Sequence, residues 1–312
     1  MTKKIHKYVG PKILELAMVR DGFVGFKCSY PKDYNDPYEL FLSIDTNIEP
    51  ELLAFYKESV GEIPQYPTSC FSNSPVVVPM WAHYGHSSMG FVIEIDEDKL
   101  REYFEDILIE DVAYADSADE EVASSLSHAF GTMKPRHTFF FHKQVMASAY
   151  FSKQSCWSYE QERRVVVPQQ NIEEINGNMV FFAPAECVTA LIAGARIEDK
   201  YWQQAEKISD SIGCTLYRGY IGKSYPEIFF RDKNNRVHVF SDGGLIRTDT
   251  ICKTCSEPLS HSDNESDVCS WCSITEVHEE NAAKSNPYRV LQHAGILEEH
   301  VKAMESIWRG KS

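Results

Sequence analysis

Residues 152–167 read SKQSCWSYEQERRVVV, a stretch in which charged side chains stand directly before an apolar run typical of a β-strand. Glu160, Glu162 and Arg164 occupy every second position. In an extended chain alternate side chains point to the same face, so this spacing predicts two carboxylates and a guanidinium together beside an apolar sheet. Charges beside a core are costly unless they are paired or used. We therefore favour a functional strand over a surface ion pair.

The chain on either side of this stretch alternates between strand-like and helix-like patterns. Short apolar runs predict strands at residues 5–9, 23–30, 90–96, 178–184 and 187–197. Apolar residues at helical spacing predict helices at residues 11–22, 51–59, 120–130, 141–151 and 199–211. The order of these elements predicts a mixed α+β domain over residues 1–247.

The charge of the chain is unevenly distributed. The formal net charge is −15 over 312 residues, which argues against nucleic-acid binding by the whole surface. Residues 133–164 nevertheless contain six Lys or Arg and two Glu, a local balance of +4, and they are rich in aromatic side chains. Basic and aromatic residues in alternation suit a nucleotide or a single strand. A core element with one solvated face explains the same pattern equally well.

The cysteines and the N-terminus bear on the compartment. The chain has nine cysteines. It begins MTKKIHKYVGPK, without the apolar stretch of a signal peptide, and no run is long enough to cross a bilayer. These features predict a cytoplasmic protein with metal-bound or free thiols rather than disulfides, and no membrane partner.

Four of the cysteines predict a metal site. Cys252 and Cys255 form one CxxC pair and Cys269 and Cys272 form another, with 13 residues between the pairs. This spacing predicts a structural Zn²⁺ site in a zinc ribbon over residues 248–280. His261 and His278 are possible substitute ligands, and four reduced surface thiols are the alternative. Because four thiolates leave no open coordination position, we assign this metal no catalysis.

Residues 281–312 predict a C-terminal helical segment with an exposed apolar stripe. Such a stripe docks on the main domain or on a partner protein.

Two further boxes combine polar and aromatic side chains. Residues 35–39 read NDPYE, which suits a capped turn into a helix or a functional loop with Asp36 and Glu39. Trp81, His83 and Tyr84 cluster in residues 80–84, MWAHY, directly before a predicted strand. They suit either a ring-binding pocket or an aromatic cluster packed under a loop.

The boxes HKY, NDPYE, SCFS, MWAHY and KQSCWSYEQERR follow one another in this order over residues 6–164. In content and order they resemble a bacterial family known as domain of unknown function 2971. The resemblance extends over roughly residues 6–195 and does not include the cysteine-rich tail. The family label implies no reaction.

A weaker resemblance supplies a reaction. The order of strand, helix, strand, aromatic box and late strand with Glu-x-Glu is similar to ADP-ribosyltransferases, especially to toxins that modify nucleic acid. It implies a split mixed sheet flanked by helices that holds NAD in a cleft. It also implies a bacterial toxin or phage-defence effector whose acceptor is RNA or DNA, with an antitoxin or chaperone on the C-terminal segment.

The same resemblance implies roles for individual residues. Glu162 is implied as the catalytic carboxylate and Glu160 as the group that orients or deprotonates the acceptor. Arg164 holds the carboxylate pair or a phosphate. The implied NAD contacts are the ribose contacts His6 and Tyr8, the phosphate contact Lys153, and the aromatic surroundings of the nicotinamide at Trp81, His83, Tyr84 and Trp157.

Two other functions remain open at this point. A metal-dependent nuclease would place Asp36, Glu39, Glu160 and Glu162 around Mg²⁺. A non-enzymatic zinc-ribbon adaptor would use the same boxes only to shape a core.

Overall fold

The computed structural model describes residues 2–34, 44–61, 63–259 and 267–310. The NDPYE box with Asp36 and Glu39, and also His261, lie outside the described residues. The described chain forms two compact units. The N-terminal unit consists of Met1–Ile221 and Glu227–Arg247, and the C-terminal unit consists of Gly222–Pro226 and Thr248–Ser312.

The N-terminal unit contains a large mixed sheet of ten strands. From one edge to the other, the strands are β15 (Gly244–Arg247), β14 (Val237–Ser241), β13 (Ile228–Asp232), β12 (Thr215–Ile221), β11 (Val188–Ala193), β4 (Phe91–Asp96), β1 (Lys4–Val9), β3 (Thr68–Ser72), β8 (Glu162–Val166) and β5 (Leu108–Asp111). Strands β11 and β12 are parallel, whereas the other neighbours are antiparallel.

Smaller elements surround this sheet. A second sheet has the order β2 (Phe23–Cys28), β10 (Asn178–Pro184) and β9 (Glu173–Ile175), and β6 (Ala113–Tyr114) pairs with β7 (Ser152–Lys153). The helices of this unit are α1 (Ile13–Ala17), α2 (Pro50–Gly61), α3 (Val78–His83), α4 (Glu97–Tyr103), α5 (Glu120–Thr132), α6 (Pro135–Phe151) and α7 (Asp199–Ile212). The prediction of a mixed α+β fold is therefore confirmed.

The two faces of the large sheet pack against different elements. Its apolar side chains on one face, such as Ile93 and Val165, pack with Phe26 of β2 and Phe181 of β10 in the main core. On the other face, Tyr8 and Val92 pack with Met80 and Trp81 of α3. Burial of this apolar surface is the main force that holds the sheet between its covering elements.

Two helices differ from the sequence expectation by five or more residues at one end. Helix α1 ends at Ala17 rather than continuing to residue 22. Helix α6 begins at Pro135, six residues before the predicted start at residue 141. Proline suits the first turn of a helix because its missing N–H would have no intrahelical acceptor there.

The large sheet parts between β1 and β3. Within the described residues these two strands share one residue pair, His6 with Ser72. By contrast, β1 pairs with β4 through six residue pairs, and β3 pairs with β8 through five. The sheet thus consists of a seven-stranded part, β15 to β1, and a three-stranded part, β3 to β5, joined at one point.

The C-terminal unit contains a cysteine-rich segment and three helices. An isolated β-bridge joins Ile251 to Pro258 in the cysteine-rich segment. The helices are α8 (Glu276–Lys284), α9 (Pro287–His293) and α10 (Leu297–Arg309), and none of their residues is buried. Across the described part of the whole chain, no helix combines the length and apolar character that crossing a membrane requires.

Candidate functional site

A row of polar residues crosses four neighbouring strands of the large sheet. Strand register places Glu94 of β4 beside His6 of β1, His6 beside Ser72 of β3, and Ser72 beside Glu162 of β8. All four side chains are buried. Because residues in register share one face of a sheet, the row presents buried polar groups at the point where the sheet parts.

A cavity of about 160 Å³ opens at this parting. Eight of the predicted site residues line it: His6, Tyr8, Tyr84, Lys153, Trp157, Glu160, Glu162 and Arg164. They come from segments that are far apart in the sequence, so the fold brings the predicted boxes together.

Glu160 reaches the cavity by a different route from the one predicted. It ends a 3-10 helix, Ser155–Glu160, and Gln161 follows with φ of 45° before β8 begins at Glu162. The prediction that Glu160, Glu162 and Arg164 alternate on one extended strand is therefore wrong for Glu160. The left-handed turn at Gln161 interrupts the strand, and the Glu160 carbonyl accepts a hydrogen bond from the Ser72 hydroxyl at 2.7 Å.

Glu162 is surrounded by hydrogen-bond donors. The Arg164 guanidinium donates to both carboxylate oxygens, from Nε to Oε1 at 2.8 Å and from a terminal nitrogen to Oε2 at 3.0 Å. Lys153 Nζ donates to Oε2 at 3.2 Å, and the Cys70 thiol also hydrogen-bonds to this carboxylate. A carboxylate has about four acceptor positions, so a ligand hydroxyl must replace one of these donors. The thiol is the weakest of them.

Burial raises the pKa of Glu162, although the Lys153 ammonium acts in the opposite direction. The negative charge of Glu160 raises it further. The folded protein therefore holds this carboxylate where its anionic form is penalised, which is a recurrent property of functional sites.

Lys153 bridges the two carboxylates. Its Nζ lies 2.7 Å from Glu160 Oε2 and 3.2 Å from Glu162 Oε2. Burial disfavours the ammonium, but the two carboxylates outweigh burial and raise the pKa of Lys153. Lys153 therefore holds the carboxylate pair together, a role that the sequence suggested for Arg164, and its contact with a phosphate stays a prediction. Arg164 pairs with Glu162.

Glu160 is held at both oxygens. Its Oε2 accepts from Lys153, and its Oε1 accepts from the Tyr84 hydroxyl at 2.8 Å. Tyr84 itself is only half-buried, and Trp157 lies beneath the ammonium of Lys153, whose Nζ is 4.9 Å from the Trp157 ring centroid. Two aromatic rings thus flank the carboxylates at the cavity.

His6 is fixed by its neighbours in the polar row. Its Nδ1 lies 3.3 Å from the Ser72 carbonyl oxygen and its Nε2 lies 3.3 Å from Glu94 Oε2. Glu94 in turn accepts from the Thr189 hydroxyl at 2.6 Å. Tyr8, two residues along β1, donates its hydroxyl to the Ser74 carbonyl at 3.0 Å.

Trp81 and His83 do not line the cavity. Trp81 is 2% exposed, and its indole N–H donates to the Pro75 carbonyl at 2.7 Å. His83 is exposed to solvent. The prediction that both residues contribute to a ring-binding pocket is wrong in this structure, because α3 turns Trp81 into the apolar layer and His83 away from it.

The cavity also contains residues that the sequence reasoning missed. Lys7 spans the parting, since its Nζ donates to the Cys70 carbonyl at 2.7 Å and to Ser69 Oγ at 3.0 Å. Burial lowers the pKa of Lys7. Tyr34 lies beneath Arg164, whose guanidinium carbon is 5.0 Å from the ring centroid. Lys7 stands inside the quoted box HKY, but the local sequence does not indicate that it crosses to β3.

The four predicted metal ligands come together in the C-terminal unit. The sulfur atoms of Cys252, Cys255, Cys269 and Cys272 all lie within 4.8 Å of one another. Cys255 Sγ and Cys269 Sγ are 3.8 Å apart. Zn–S bonds of about 2.3 Å in a tetrahedron give sulfur separations of about 3.8 Å. The donor set and its geometry thus fit a structural Zn²⁺ ion.

The histidine alternatives are not needed for this site. His278 lies in the first turn of α8, where its Nδ1 accepts from the Thr275 backbone N–H at 3.2 Å. The Thr275 hydroxyl accepts in return from the His278 N–H at 3.4 Å. His278 is therefore part of a capping box rather than a substitute ligand.

Comparison with known families adds one match. Residues 80–165 match the family model described as protein of unknown function (DUF2971). The matched segment contains the MWAHY box and the box with Glu160, Glu162 and Arg164, which supports the family resemblance over this part of the chain. Searches among curated proteins and among solved structures find no match. The description names no reaction, so the chemistry has to be argued from geometry.

Proposed function

We propose that the N-terminal unit is an NAD-dependent ADP-ribosyltransferase. One observation carries the proposal: the sheet parts between β1 and β3, and the cavity at this parting contains a buried Glu162 beside His6, Tyr8, Tyr84 and Trp157. A split-sheet transferase requires a carboxylate, a strand that contacts the ribose, and aromatic rings. Glu162, residues of β1 and two aromatic rings line this one cavity, which supports the proposal.

The reaction breaks the bond between the nicotinamide nitrogen and ribose C1′, and the nitrogen keeps the electron pair. The ribose becomes oxocarbenium-like in the transition state, and a nearby carboxylate stabilises its developing positive charge. Glu162 suits this task because burial already penalises its negative charge. An emerging cation relieves that penalty, so the carboxylate binds the transition state more strongly than the substrate.

Glu160 has the complementary role. The acceptor attacks C1′ and loses a proton, for which a neighbouring carboxylate is a suitable base. Oε1 of Glu160 is bound by the Tyr84 hydroxyl and Oε2 by Lys153. An acceptor that displaces the Tyr84 hydroxyl can pass its proton to Oε1 of Glu160, while Lys153 keeps the carboxylate in place.

The cavity sets the pose of the dinucleotide. Its volume of about 160 Å³ is smaller than the roughly 300–1,000 Å³ of sites that enclose a drug-sized ligand. We therefore place only the nicotinamide–ribose end inside it. Of the residues that the sequence suggested around the nicotinamide, Tyr84 and Trp157 line the cavity, so one of these two rings takes the stacking role.

The nuclease alternative has less support. Lys153 and Arg164 already neutralise Glu160 and Glu162 through contacts of 2.7–3.2 Å. A divalent cation would add a full charge of +2 beside these two cations in the resting site, whereas the oxocarbenium ion develops a smaller charge and only in the transition state. The other carboxylates of that hypothesis, Asp36 and Glu39, lie outside the described residues.

The test incubates the full protein with NAD labelled in its adenylate half, together with RNA, DNA or lysate protein. We expect label in one acceptor fraction and an equivalent release of nicotinamide, both insensitive to EDTA. Cleavage of nucleic acid that requires Mg²⁺, without release of nicotinamide, would instead support the nuclease. Neither reaction, in protein shown to be folded, would favour the adaptor.

A further inference from the structure

Helix α6 presents an exposed face with aromatic and basic side chains. Arg136, Phe139, Phe140 and Lys143 stand at spacings of three and four residues, so they share one side of the helix. All four are exposed, with Phe139 at 56% and Phe140 at 61%. The buried side of α6 carries Phe141, which packs against α2 and α5. The two outward rings therefore do not serve that core.

The charge around this face is opposite to that of the chain. The sequence segment 122–159 contains four Lys or Arg and no Asp or Glu, whereas the whole chain has a net charge of −15. Glu120 and Glu121, at the start of α5, line a groove with Gln144 of α6 and form the acidic edge of this face. Lys134 precedes the helix and is also exposed. Lys143 Nζ lies 5.7 Å from the Phe139 ring centroid, so cation and ring are adjacent. A polyanion is therefore attracted to this face and repelled by most of the remaining surface.

We propose that this α6 face, defined by Arg136, Phe139, Phe140 and Lys143, binds single-stranded nucleic acid. Exposed rings offer stacking partners to unpaired bases, while neighbouring cations contact phosphates. Base stacking distinguishes this occupant from an acidic protein, which has the charge without a series of flat rings. A duplex is excluded because its bases are already stacked on one another.

The position of the face suggests what the strand is for. At 1.5 Å per residue, α6 carries the chain roughly 18 Å from Phe139 to Phe151. The chain then enters β7 with Lys153 and the 3-10 helix with Trp157, both of which line the cavity. A strand on the α6 face therefore lies within a few nucleotides of Glu160. This acceptor role rests on the proposed transferase function, whereas the binding itself does not.

The experiment measures binding of the full protein to a fluorescent oligonucleotide of about 12 nucleotides, a length within the range of known single-strand binding sites. DNA and RNA strands are tested separately, with their duplexes as competitors.

Phe139→Ala and Phe140→Ala should each weaken binding roughly 5- to 150-fold, the range for one lost stacked base. Lys134, Arg136 and Lys143 together predict a slope of about −2 for log K against log salt, and Arg136→Gln should reduce it by about 0.7.

The matched control is Tyr103→Ala in α4, an aromatic residue with 52% exposure among acidic neighbours. It should leave the affinity unchanged. Equal affinity of the parent and both phenylalanine variants would overturn the proposal. So would preference for the duplex, for polyglutamate or for anionic phospholipid vesicles over the single strand. Nicotinamide release by the parent protein, measured in parallel without nucleic acid, tests the transferase function separately.

Discussion

Strand β8 takes part in a buried glutamate–arginine pair on each of its two faces. The two pairs have the same chemistry but different electrostatic surroundings. Arg163 faces the main core, and Glu162 and Arg164 face the cavity, because neighbouring side chains in a strand point in opposite directions. All three side chains are at most 5% exposed.

On the core face the charges satisfy one another. Arg163 donates to both oxygens of Glu97, at 2.6 Å and 2.7 Å, and Arg101 donates to Glu97 at 2.9 Å. Burial acts to raise the pKa of Glu97, but the two arginines outweigh it and hold that pKa below its ordinary value. The folded state therefore favours the charged carboxylate.

On the cavity face the pKa of the carboxylate shifts in the opposite direction. Glu162 has a bidentate arginine as well, yet burial and the nearby Glu160 raise its pKa. Strand β8 thus contacts one carboxylate whose charge is favoured, Glu97 of α4, and carries another whose charge is penalised, Glu162. Pairing with arginine does not decide between structural and functional roles, whereas the second carboxylate and the adjoining cavity do.

The largest effect on stability should come from the core face. Glu97→Gln removes the charge that neutralises Arg163 and leaves a buried guanidinium with Asp111 as its remaining carboxylate partner at 3.0 Å. Breaking a buried ion pair costs about 3–5 kcal/mol in free energy of unfolding. Urea titration measures this loss. The rate of transfer per folded molecule should stay at the parent value, because Glu97 does not line the cavity.

The largest effect on rate should come from the cavity face. Glu162→Gln keeps the shape of the side chain but removes the charge that the proposed mechanism places opposite the developing oxocarbenium ion. We expect the rate of nicotinamide release at saturating NAD to fall about 10²- to 10³-fold, with a much smaller change in NAD affinity. Glu162→Gln also takes the bidentate partner from the buried Arg164, but it removes a charge that folding penalises. Its net loss of stability should therefore be smaller than that of Glu97→Gln, which removes a charge that folding favours.

Glu97→Gln and Glu162→Gln together test whether one ion pair is structural and the other functional. A Glu162→Gln protein with parent activity would remove the catalytic assignment. If instead Glu162→Gln and Glu97→Gln lost the same stability and neither lost rate, both ion pairs would be structural.

The pH dependence of stability should separate the two carboxylates by sign. The lowered pKa of Glu97 contributes stability that is present above the unfolded-state pKa, near 4.3, and is lost as pH falls through the folded-state value. The raised pKa of Glu162 contributes stability that is present below the unfolded-state pKa and is lost as pH rises through the folded-state value.

The measurement compares the free energy of unfolding of both variants with that of the parent from pH 3 to pH 7. On acidification, the deficit of Glu97→Gln relative to the parent should shrink. On the same acidification, the free energy of unfolding of Glu162→Gln should fall relative to that of the parent. Changes in the same direction for both variants would contradict the assignment of opposite pKa shifts.

Much of this site follows from local sequence, and the remainder depends on contacts between distant segments. Spacing alone predicts the four-cysteine cluster, because CxxC pairs place two sulfur atoms at one ion. Alternation predicts that Glu162 and Arg164 share a face. The turn at Gln161, by contrast, requires a positive φ at a residue other than glycine, which the sequence pattern does not indicate.

The position of Trp81 illustrates the non-local part. A Cβ atom on Gly85 would lie 2.7 Å from the Trp81 ring, and one on Gly194 would lie 3.0 Å from it. The indole therefore occupies a space that two glycines leave free, one of them more than a hundred residues away. The sequence of α3 by itself does not show whether Trp81 or Tyr84 faces the cavity. The parting of the sheet between β1 and β3 likewise depends on contacts between distant segments.

The smallest expected effect distinguishes the two carboxylates within the cavity. Tyr84→Phe keeps the ring but removes the hydroxyl that donates to Glu160 Oε1 at 2.8 Å. Loss of one hydrogen bond changes a free energy by about 1 kcal/mol, or about fivefold in a rate. Because the acceptor has to displace this hydroxyl from Glu160 Oε1, we expect transfer to the acceptor to rise by up to this factor, and the release of nicotinamide to water, which depends on Glu162, to stay unchanged. Parallel assays of labelled acceptor and free nicotinamide make the distinction. If both rates fell together, the Tyr84 hydroxyl would act on the shared step of bond cleavage, and the division of roles between Glu160 and Glu162 would be wrong.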